Sequence, residues 1–400
     1  MDGREQRGLE IAATKKLKQN GALWIVPSQG GSGSYVVNPS APDCSCPDYE
    51  TRRAPCKHVF AVEFTVKRES TAQDGATVTE TLKVTYRQEW PAYNAAQTNE
   101  KNRVAELLHD LCTAIDNPPQ GRGRPRLPLS DSVFCAVMKV YGGTSGRRAS
   151  CDMNDYAERR YIDRAPHYNS IFNALENPDL TPILKAMIEE SAAPLKAVET
   201  DFAVDSSGFS TSVYRRWYSA KYGREMNETT WLKAHVMIGT TTNVVTSVEV
   251  TPGHAHDGQE LRPLLERSAQ RFNVQRLSAD KAYSAARILA QVEAVGGVPF
   301  IPFKRNAKGT SPYKGRGKEV WARAFHFFTH NSAEFAKHYH KRSNVETTFH
   351  MIKSKFGSAI RSKTYRAQVN EVLCKVLAHN LCCLVQSMYE LGVEPEFWAA

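Results

Sequence analysis

The segment Tyr339-His-Lys-Arg342-Ser-Asn-Val-Glu346-Thr-Thr-Phe-His-Met-Ile-Lys353 constrains this chain more than any other. Its Tyr, Arg, Glu and Lys recur at steps of three, four and seven. On a helix of 3.6 residues per turn those steps return to one side, within an arc of roughly 60°. An apolar stripe, Val345, Phe349, Ile352 and Phe356, lies about 80° round. A helix over 338–357 with this pattern buries one stripe and presents a carboxylate between cations at the edge of a cleft. Taken alone, Arg342 and Glu346 also read as an i,i+4 ion pair on a surface helix, worth about 0.2–0.5 kcal/mol. Two acidic positions upstream decide between these readings.

Asp205 closes the apolar run Phe202-Ala-Val204 and is followed by Ser-Ser-Gly; Asp280 closes Leu277-Ser-Ala279 and is followed by Lys-Ala-Tyr283. Charge is costly to bury, so a carboxylate at the mouth of a strand caps a loop or binds something. Each Asp alone reads as a turn or cap residue. Together with Glu346 they fit two Mg²⁺ ions, which need clustered hard oxygen ligands and open positions for phosphate and water. Asp201 would share a strand face with Asp205; Asp205 is preferred because it meets the Ser-Ser-Gly turn. His254-Ala-His256-Asp257 offers a metal-ligand set, but Asp257 reads better as an N-cap.

The 400 residues carry 52 Lys plus Arg against 42 Asp plus Glu, a formal charge of +10, which favours a polyanionic partner and above all nucleic acid. Hydrophobic content of 41% supports two or three cored domains. No apolar run approaches the roughly 20 residues that span a bilayer. Met1–Arg7 lacks the apolar segment of a signal peptide, so the reading is a cytoplasmic protein without a membrane partner. Cys112, Cys135, Cys151, Cys374, Cys382 and Cys383 lie in apolar helical contexts and read as buried thiols in a reducing compartment.

Residues 1–70 read as a basic helix, strands at Ala22–Val26 and Tyr35–Val37, and a Cys/His cluster; 71–116 add a strand at Thr77–Arg87 and an amphipathic helix at 95–116. Asn117–Pro128 has linker composition. Its Arg122-Gly-Arg124-Pro resembles an AT-hook core, which slides into a narrow A·T minor groove, although a solvated basic linker fits equally. Residues 129–196 read as a helical, Arg-rich DNA-binding region. From 197 to 392 the pattern is a strand at 197–204, a hairpin at 231–239 and 243–252, a helix at 257–272, a strand at 275–279, a helix at 284–295, a strand at 298–303 and helices to the end. His338, His340 and His350 read as DNA-facing or solvated.

Cys44-Ser-Cys46 and Cys56-Lys-His58, nine residues apart, supply three thiolates and one imidazole, a closed structural set for one Zn²⁺. The arrangement resembles the SWIM zinc finger, Cys-x-Cys then Cys-x-His, over roughly 20–66, and implies a module that binds DNA or protein.

The order Ala203-Val-Asp205-Ser-Ser-Gly-Phe, Ser278-Ala-Asp280-Lys-Ala-Tyr283 and Tyr339…Arg342…Glu346…Lys353 resembles the DDE transposases of bacterial insertion sequences. The last is similar to the Tyr-Arg-Glu-Lys signature of one group of them, with every spacing kept. The resemblance covers about 130–392. It implies an α/β, ribonuclease H-like core: a mixed five-stranded sheet flanked by helices, behind a helical DNA-binding region and a small N-terminal α+β zinc module. It implies that Asp205, Asp280 and Glu346 hold two Mg²⁺ or Mn²⁺ ions, and that Tyr339, Arg342 and Lys353 contact DNA phosphates. The expected activity nicks element ends and joins them to target DNA, with double-stranded DNA as partner and a homodimer to bring two ends together. Residues 281–345 leave little room for a large all-β insertion, but do hold the basic stretch Lys304–Lys318, a candidate DNA-contact loop. The alternatives are a DNA-binding regulator with an inert core and a nuclease that never joins strands.

Overall fold

The computed structural model describes residues 3–15, 17–20, 23–28, 34–38, 43–72, 90–119, 121–123, 126–211, 221, 231–310 and 316–398. They fall into two units, Met1–Trp90 and Pro91–Ala400. The expected strand at Thr77–Arg87, and Arg124 of the basic linker, lie outside the described residues.

In the first unit, helix α1 (Gly3–Thr14) precedes an antiparallel sheet in the order β1 (Lys18–Asn20), β2 (Leu23–Pro27), β3 (Ser34–Asn38) and β4 (Asp43–Cys44). Helices α2 (Pro47–Arg52) and α3 (Lys57–Ala72) follow. Strand β2 alternates as a half-buried strand should: Leu23 is exposed, Trp24 and Val26 are buried. They pack with Ile11, Val37, Val59 and Val62. α1 lies on α3 at Gly8, where an added Cβ would sit 2.6 Å from Phe60 Cβ and 2.8 Å from the Lys57 carbonyl. Arg4 ties α1 to α2 through Asp48 at 3.0 Å, and together with Arg52 holds that carboxyl down at about 2.

The second unit begins with α4 (Trp90–Cys112), which buries Ala96, Val104, Leu108 and Leu111 in this unit's core. The amphipathic helix assigned from sequence to the N-terminal part therefore belongs to the larger unit, and the division falls at Trp90 rather than at Asn117–Pro128. At its start, Asn117 Oδ1 accepts from the backbone N–H groups of Leu129 and Ser130 at 2.6 and 3.2 Å, capping the next helix. Helices α5 (Leu129–Gly142), α6 (Gly146–Glu158), α7 (Tyr168–Glu176) and α8 (Leu180–Ala192) form the expected helical region.

The sheet follows: β5 (Asp201–Ser210), β6 (Trp231–Gly239), β7 (Val245–Pro252), α9 (Asp257–Arg271), β8 (Arg276–Ala279), α10 (Ala286–Ala294) and β9 (Val298–Phe300). Its order is β7-β6-β5-β8-β9, antiparallel from β7 to β5 and parallel from β5 to β9. This is the mixed five-stranded, ribonuclease H-like arrangement that the sequence resemblance implies. Helices α11 (Arg316–His330), α12 (Ser332–Tyr339), α13 (Ser343–Phe356) and α14 (Tyr365–Leu391) complete the unit.

Three local readings change. Strand β5 does not stop at Asp205. Ser206-Ser-Gly has turn composition, but β6 pairs with β5 out to Ser210, Phe209 is fully buried, and Gly208 fits under the Trp231 ring, 3.1 Å from a built Cβ. The helix expected over 338–357 is broken by a 3₁₀ turn, His340–Arg342. There Ser278 Oγ donates to the His338 carbonyl at 3.1 Å, and a side-chain donor inside the ladder favours such a break. Asp257 is the first helical residue rather than the cap; the cap position is His256, without a side-chain bond.

Among the described residues α14 is long and apolar enough to cross a membrane, more than the sequence reading allowed, but 78% of that window is buried inside the protein. Asn380 accepts from Val245 N–H at 2.8 Å and donates to the Val245 carbonyl at 2.7 Å and Ser191 Oγ at 3.0 Å, pinning α14 to β7 and α8. Cys112, Cys135, Cys374 and Cys383 are buried as expected; Cys382 is half-buried and Cys151 is exposed.

Candidate active site and metal centre

Parallel pairing of β8 with β5 ends at Ala279 opposite Val204. Beyond that register β5 continues without β8, and Asp205 and Asp280 occupy the next position on each strand. Glu346 joins them from the first turn of α13, whose apolar stripe Val345, Phe349, Ile352 and Phe356 is buried as the spacing predicts.

One guanidinium connects the three carboxylates. Arg342 Nη2 is 2.9 Å from Asp205 Oδ2 and 3.8 Å from Asp280 Oδ2, and Nη1 is 2.8 Å from Glu346 Oε1. Side-chain exposure rises from 20% at Asp205 through 40% at Asp280 to 60% at Glu346, so the cluster opens to solvent on the Glu346 side. Burial pushes the Asp205 carboxyl above its ordinary value; the Arg342 charge opposes this, and Asp280 and Glu346 add to it. Asp205 also accepts from the Ser206 N–H at 2.8 Å. Asp280 Oδ1 accepts from Ala282 N–H at 3.3 Å, closing the turn after β8.

Asp201 is placed differently. It is buried, bonded to Arg276 at 2.8 Å and to Lys341. Burial alone would raise its pKa, but those two cations hold it below the ordinary carboxylate value. Lys341 and Arg342 thus serve successive carboxylates of one strand, Asp201 structurally and Asp205 at the cluster.

Lys353 Nζ donates to Ser207 Oγ at 2.6 Å and sits 5.2 Å over the Phe209 ring; burial lowers its pKa. Tyr339, half-buried, stacks on Phe335 at 5.9 Å, and its pKa rises through burial, countered by Arg342 and reinforced by Asp280, Glu346 and Asp205. Tyr339, Arg342, Glu346 and Lys353 therefore remain on the β5 side despite the 3₁₀ turn. His338 is packed against Phe300 at 4.6 Å rather than solvated, whereas His340 and His350 are exposed. Arg122 is exposed in the loop before α5.

Sequence reading missed a polar group on the opposite face of β5. Ser206 Oγ donates to Asp257 Oδ1 at 2.8 Å, and Lys233 Nζ and His235 Nδ1 approach the same oxygen at 2.6 and 3.3 Å. The signal was present: Lys233 and His235 alternate with the apolar Leu232, Ala234 and Val236 along β6.

In the first unit, Cys44, Cys46, Cys56 and His58 are all buried, with ligand atoms within 4.8 Å of one another. Cys44 closes β4, Cys46 caps α2 by accepting from Tyr49 N–H at 3.4 Å, and Cys56 and His58 open α3. Cys44 Sγ and Cys56 Sγ each lie 3.8 Å from His58 Nδ1. Around a tetrahedral Zn²⁺, sulfur at about 2.3 Å and nitrogen at about 2.0 Å stand about 3.5 Å apart. The set fits zinc with little movement, and three thiolates this close need a cation to be charged together.

The sheet order and the acidic cluster at its centre define a ribonuclease H-like core. Residues 196–381 match the Transposase DDE domain and residues 35–67 match the SWIM zinc finger. The chain thus carries a DDE transposase domain, a class that uses a divalent metal, and an N-terminal SWIM zinc finger. No curated protein matches it.

Proposed function

We propose that the protein is a DNA transposase whose catalytic carboxylates are Asp205, Asp280 and Glu346. The observation that carries this reading is the convergence of all three on Arg342, from two parallel strand ends and a helix. Hard oxygen donors with a strong local excess of negative charge suit Mg²⁺ or Mn²⁺, and we assign the three carboxylates to hold two such ions. Bound there, divalent metal supplies activation of the attacking hydroxyl and stabilisation of the leaving 3′ oxygen.

The chain's own residues place the phosphodiester. Arg342 exchanges carboxylate contacts for a DNA phosphate, and Lys353 and Tyr339 hold the backbone beside the cut. In the first step water adds to phosphorus and the 3′ oxygen leaves as a hydroxyl. In the second, that hydroxyl attacks a target phosphodiester, one P–O bond replacing another. No covalent protein–DNA intermediate is needed, so Tyr339 is a contact residue and not a nucleophile.

Arg122 and Arg124 are assigned to the minor groove of flanking duplex, and the SWIM module to further contact with DNA. The protein acts as a homodimer on two element ends in the cytoplasm, at the nucleoid. The test is incubation with Mg²⁺, a target plasmid and a duplex carrying the inverted repeat that flanks the coding sequence. Joined products are expected. Nicks without joining would make it a nuclease; binding without either would make it a regulator with an inert core.

A further inference from the structure

Past Ala279, β5 loses its neighbour on one edge at the register where Asp205 must be held. On the front face, Arg342 grips Asp205 and Lys353 grips Ser207. Successive strand residues point to opposite faces, so Ser206 projects to the back. There it stands opposite His235 of β6 in the pairing register. Its hydroxyl donates to Asp257 Oδ1 at 2.8 Å, and its backbone N–H donates to Asp205 Oδ1 at 2.8 Å. One residue thus touches a catalytic carboxylate through its main chain and a second carboxylate through its side chain.

Asp257 is itself held by Lys233 and Ser206, with His235 close by. Lys233 Nζ lies 2.6 Å and His235 Nδ1 3.3 Å from the oxygen that accepts from Ser206. His235 is fully buried, and its Nε2 is anchored 2.8 Å from Thr251 Oγ1 of β7. Asp257 also begins α9, so the cluster joins β5, β6, β7 and a helix. Burial favours the neutral carboxyl, but the hydrogen bonds from Lys233 and Ser206 outweigh it and keep Asp257 below its ordinary value. Burial lowers the His235 pKa below its ordinary value, against the pull of the Asp257 charge. The group behind the sheet is therefore a partly buried Lys233–Asp257 ion pair that presents an acceptor to Ser206.

We propose that Asp257 is a positioning residue: through Ser206 it fixes the strand segment and N–H that orient Asp205 toward divalent metal. This rests on Asp205 being a catalytic carboxylate. A ligand whose supporting hydrogen bonds are removed loses about 10- to 100-fold in metal affinity or activity. Ser206→Ala deletes the hydroxyl and leaves the Asp257–Lys233 pair intact. Asp257→Asn keeps an acceptor for Ser206 but loses the charge that fixes it. Both changes leave every DNA-facing residue in place.

The experiment measures Mn²⁺ binding to the purified protein by electron paramagnetic resonance, with duplex affinity and Mg²⁺-dependent nicking alongside. Ser206→Ala and Asp257→Asn should each weaken Mn²⁺ binding about 10- to 100-fold and raise the Mg²⁺ needed for nicking in parallel, at parental DNA affinity. Ser206→Thr, which restores the hydroxyl, should recover Mn²⁺ binding. The double variant should bind no more weakly than the worse single, because both act along one path. Parental Mn²⁺ affinity in both singles, or losses that multiply in the double, would overturn the proposal. Should Asp257→Asn fail to fold, Ser206→Ala and its Thr rescue decide the matter alone. Asp205→Ala separates the two claims. If it binds Mn²⁺ and nicks like the parent, the carboxylate assignment fails. If it is inactive while both singles behave as parent, only the positioning role fails.

Discussion

Arg342 Nη2 lies 2.9 Å from Asp205 Oδ2, joining a 3₁₀ turn to a strand 137 residues earlier in the chain. The pair is mostly buried, and Arg342 also reaches Asp280 and Glu346. Three carboxylates that would repel one another are thereby held around one cation.

Removing that cation should cost stability because Asp205 is left partly buried and unpaired. Arg342→Ala is expected to destabilise by about 1–3 kcal/mol. Adding Asp205→Asn should recover much of the loss, since the orphaned charge is gone. A double-mutant cycle by denaturant unfolding measures the coupling; additive losses would show that the two side chains do not interact.

The zinc cluster should hold one ion per chain. Elemental analysis of Cys56→Ser should find almost none, because three remaining donors no longer close a tetrahedron. A chelator should unfold the first unit only, whose core is built around the cluster, and leave the transition of the second unit unchanged. Equal zinc in parent and variant would refute the ligand set.

Metal stabilisation should depend on pH. Asp205 has a folded pKa raised by burial above its unfolded value of about 4. Its contribution to stability is therefore present below about pH 4 and is lost as pH rises through the raised folded value. Divalent cation bound at Asp205, as proposed, should offset that loss. The rise in melting temperature produced by Mg²⁺ should be larger near about pH 8 than near about pH 5 and should vanish in Asp205→Ala.

The site was legible in the sequence where chemistry depends on spacing. Tyr339, Arg342, Glu346 and Lys353 announced themselves because helical periodicity groups them, and the Cys/His spacing announced zinc. What spacing could not convey was where local composition yields to tertiary pairing. Ser206-Ser-Gly208 looks like a turn, yet β6 carries it through as strand and Phe209 anchors it. Helix α4 looked like an N-terminal element because a proline- and arginine-rich segment follows it, but its apolar face is buried in the second core. The Ser206–Asp257–Lys233–His235 group left only a partial signal, the polar alternation of Lys233 and His235 in β6, because its members come from three elements and each alone reads as an ordinary strand or cap residue.

Lys375 shows the same distance between composition and role. It is almost fully buried in α14 and donates to the Gly357 and Ala359 carbonyls at 2.9 and 2.8 Å, where the chain leaving α13 pairs with the end of β5. Burial brings its pKa down to about 8. Lys375→Met keeps the volume but leaves two carbonyls unpaired, and should cost on the order of 2–4 kcal/mol in thermal or denaturant unfolding. A neutral outcome would mean that the carbonyls find water instead.

The central claim is tested most directly by measuring duplex binding and Mg²⁺-dependent nicking side by side for Asp205→Ala, Asp280→Ala and Glu346→Ala. On the proposed reading, affinity for DNA comes mainly from Lys and Arg neutralising phosphates, whereas the carboxylates serve the chemistry. Each variant should therefore bind the labelled element-end duplex like the parent and fail to nick it. Lys353→Ala should weaken contact near the cut with a smaller effect on chemistry. Loss of nicking in Asp201→Ala with Asp205→Ala still active would move the first carboxylate by four residues and leave the mechanism standing. Nicking at the parental rate by all the carboxylate variants would contradict the account outright.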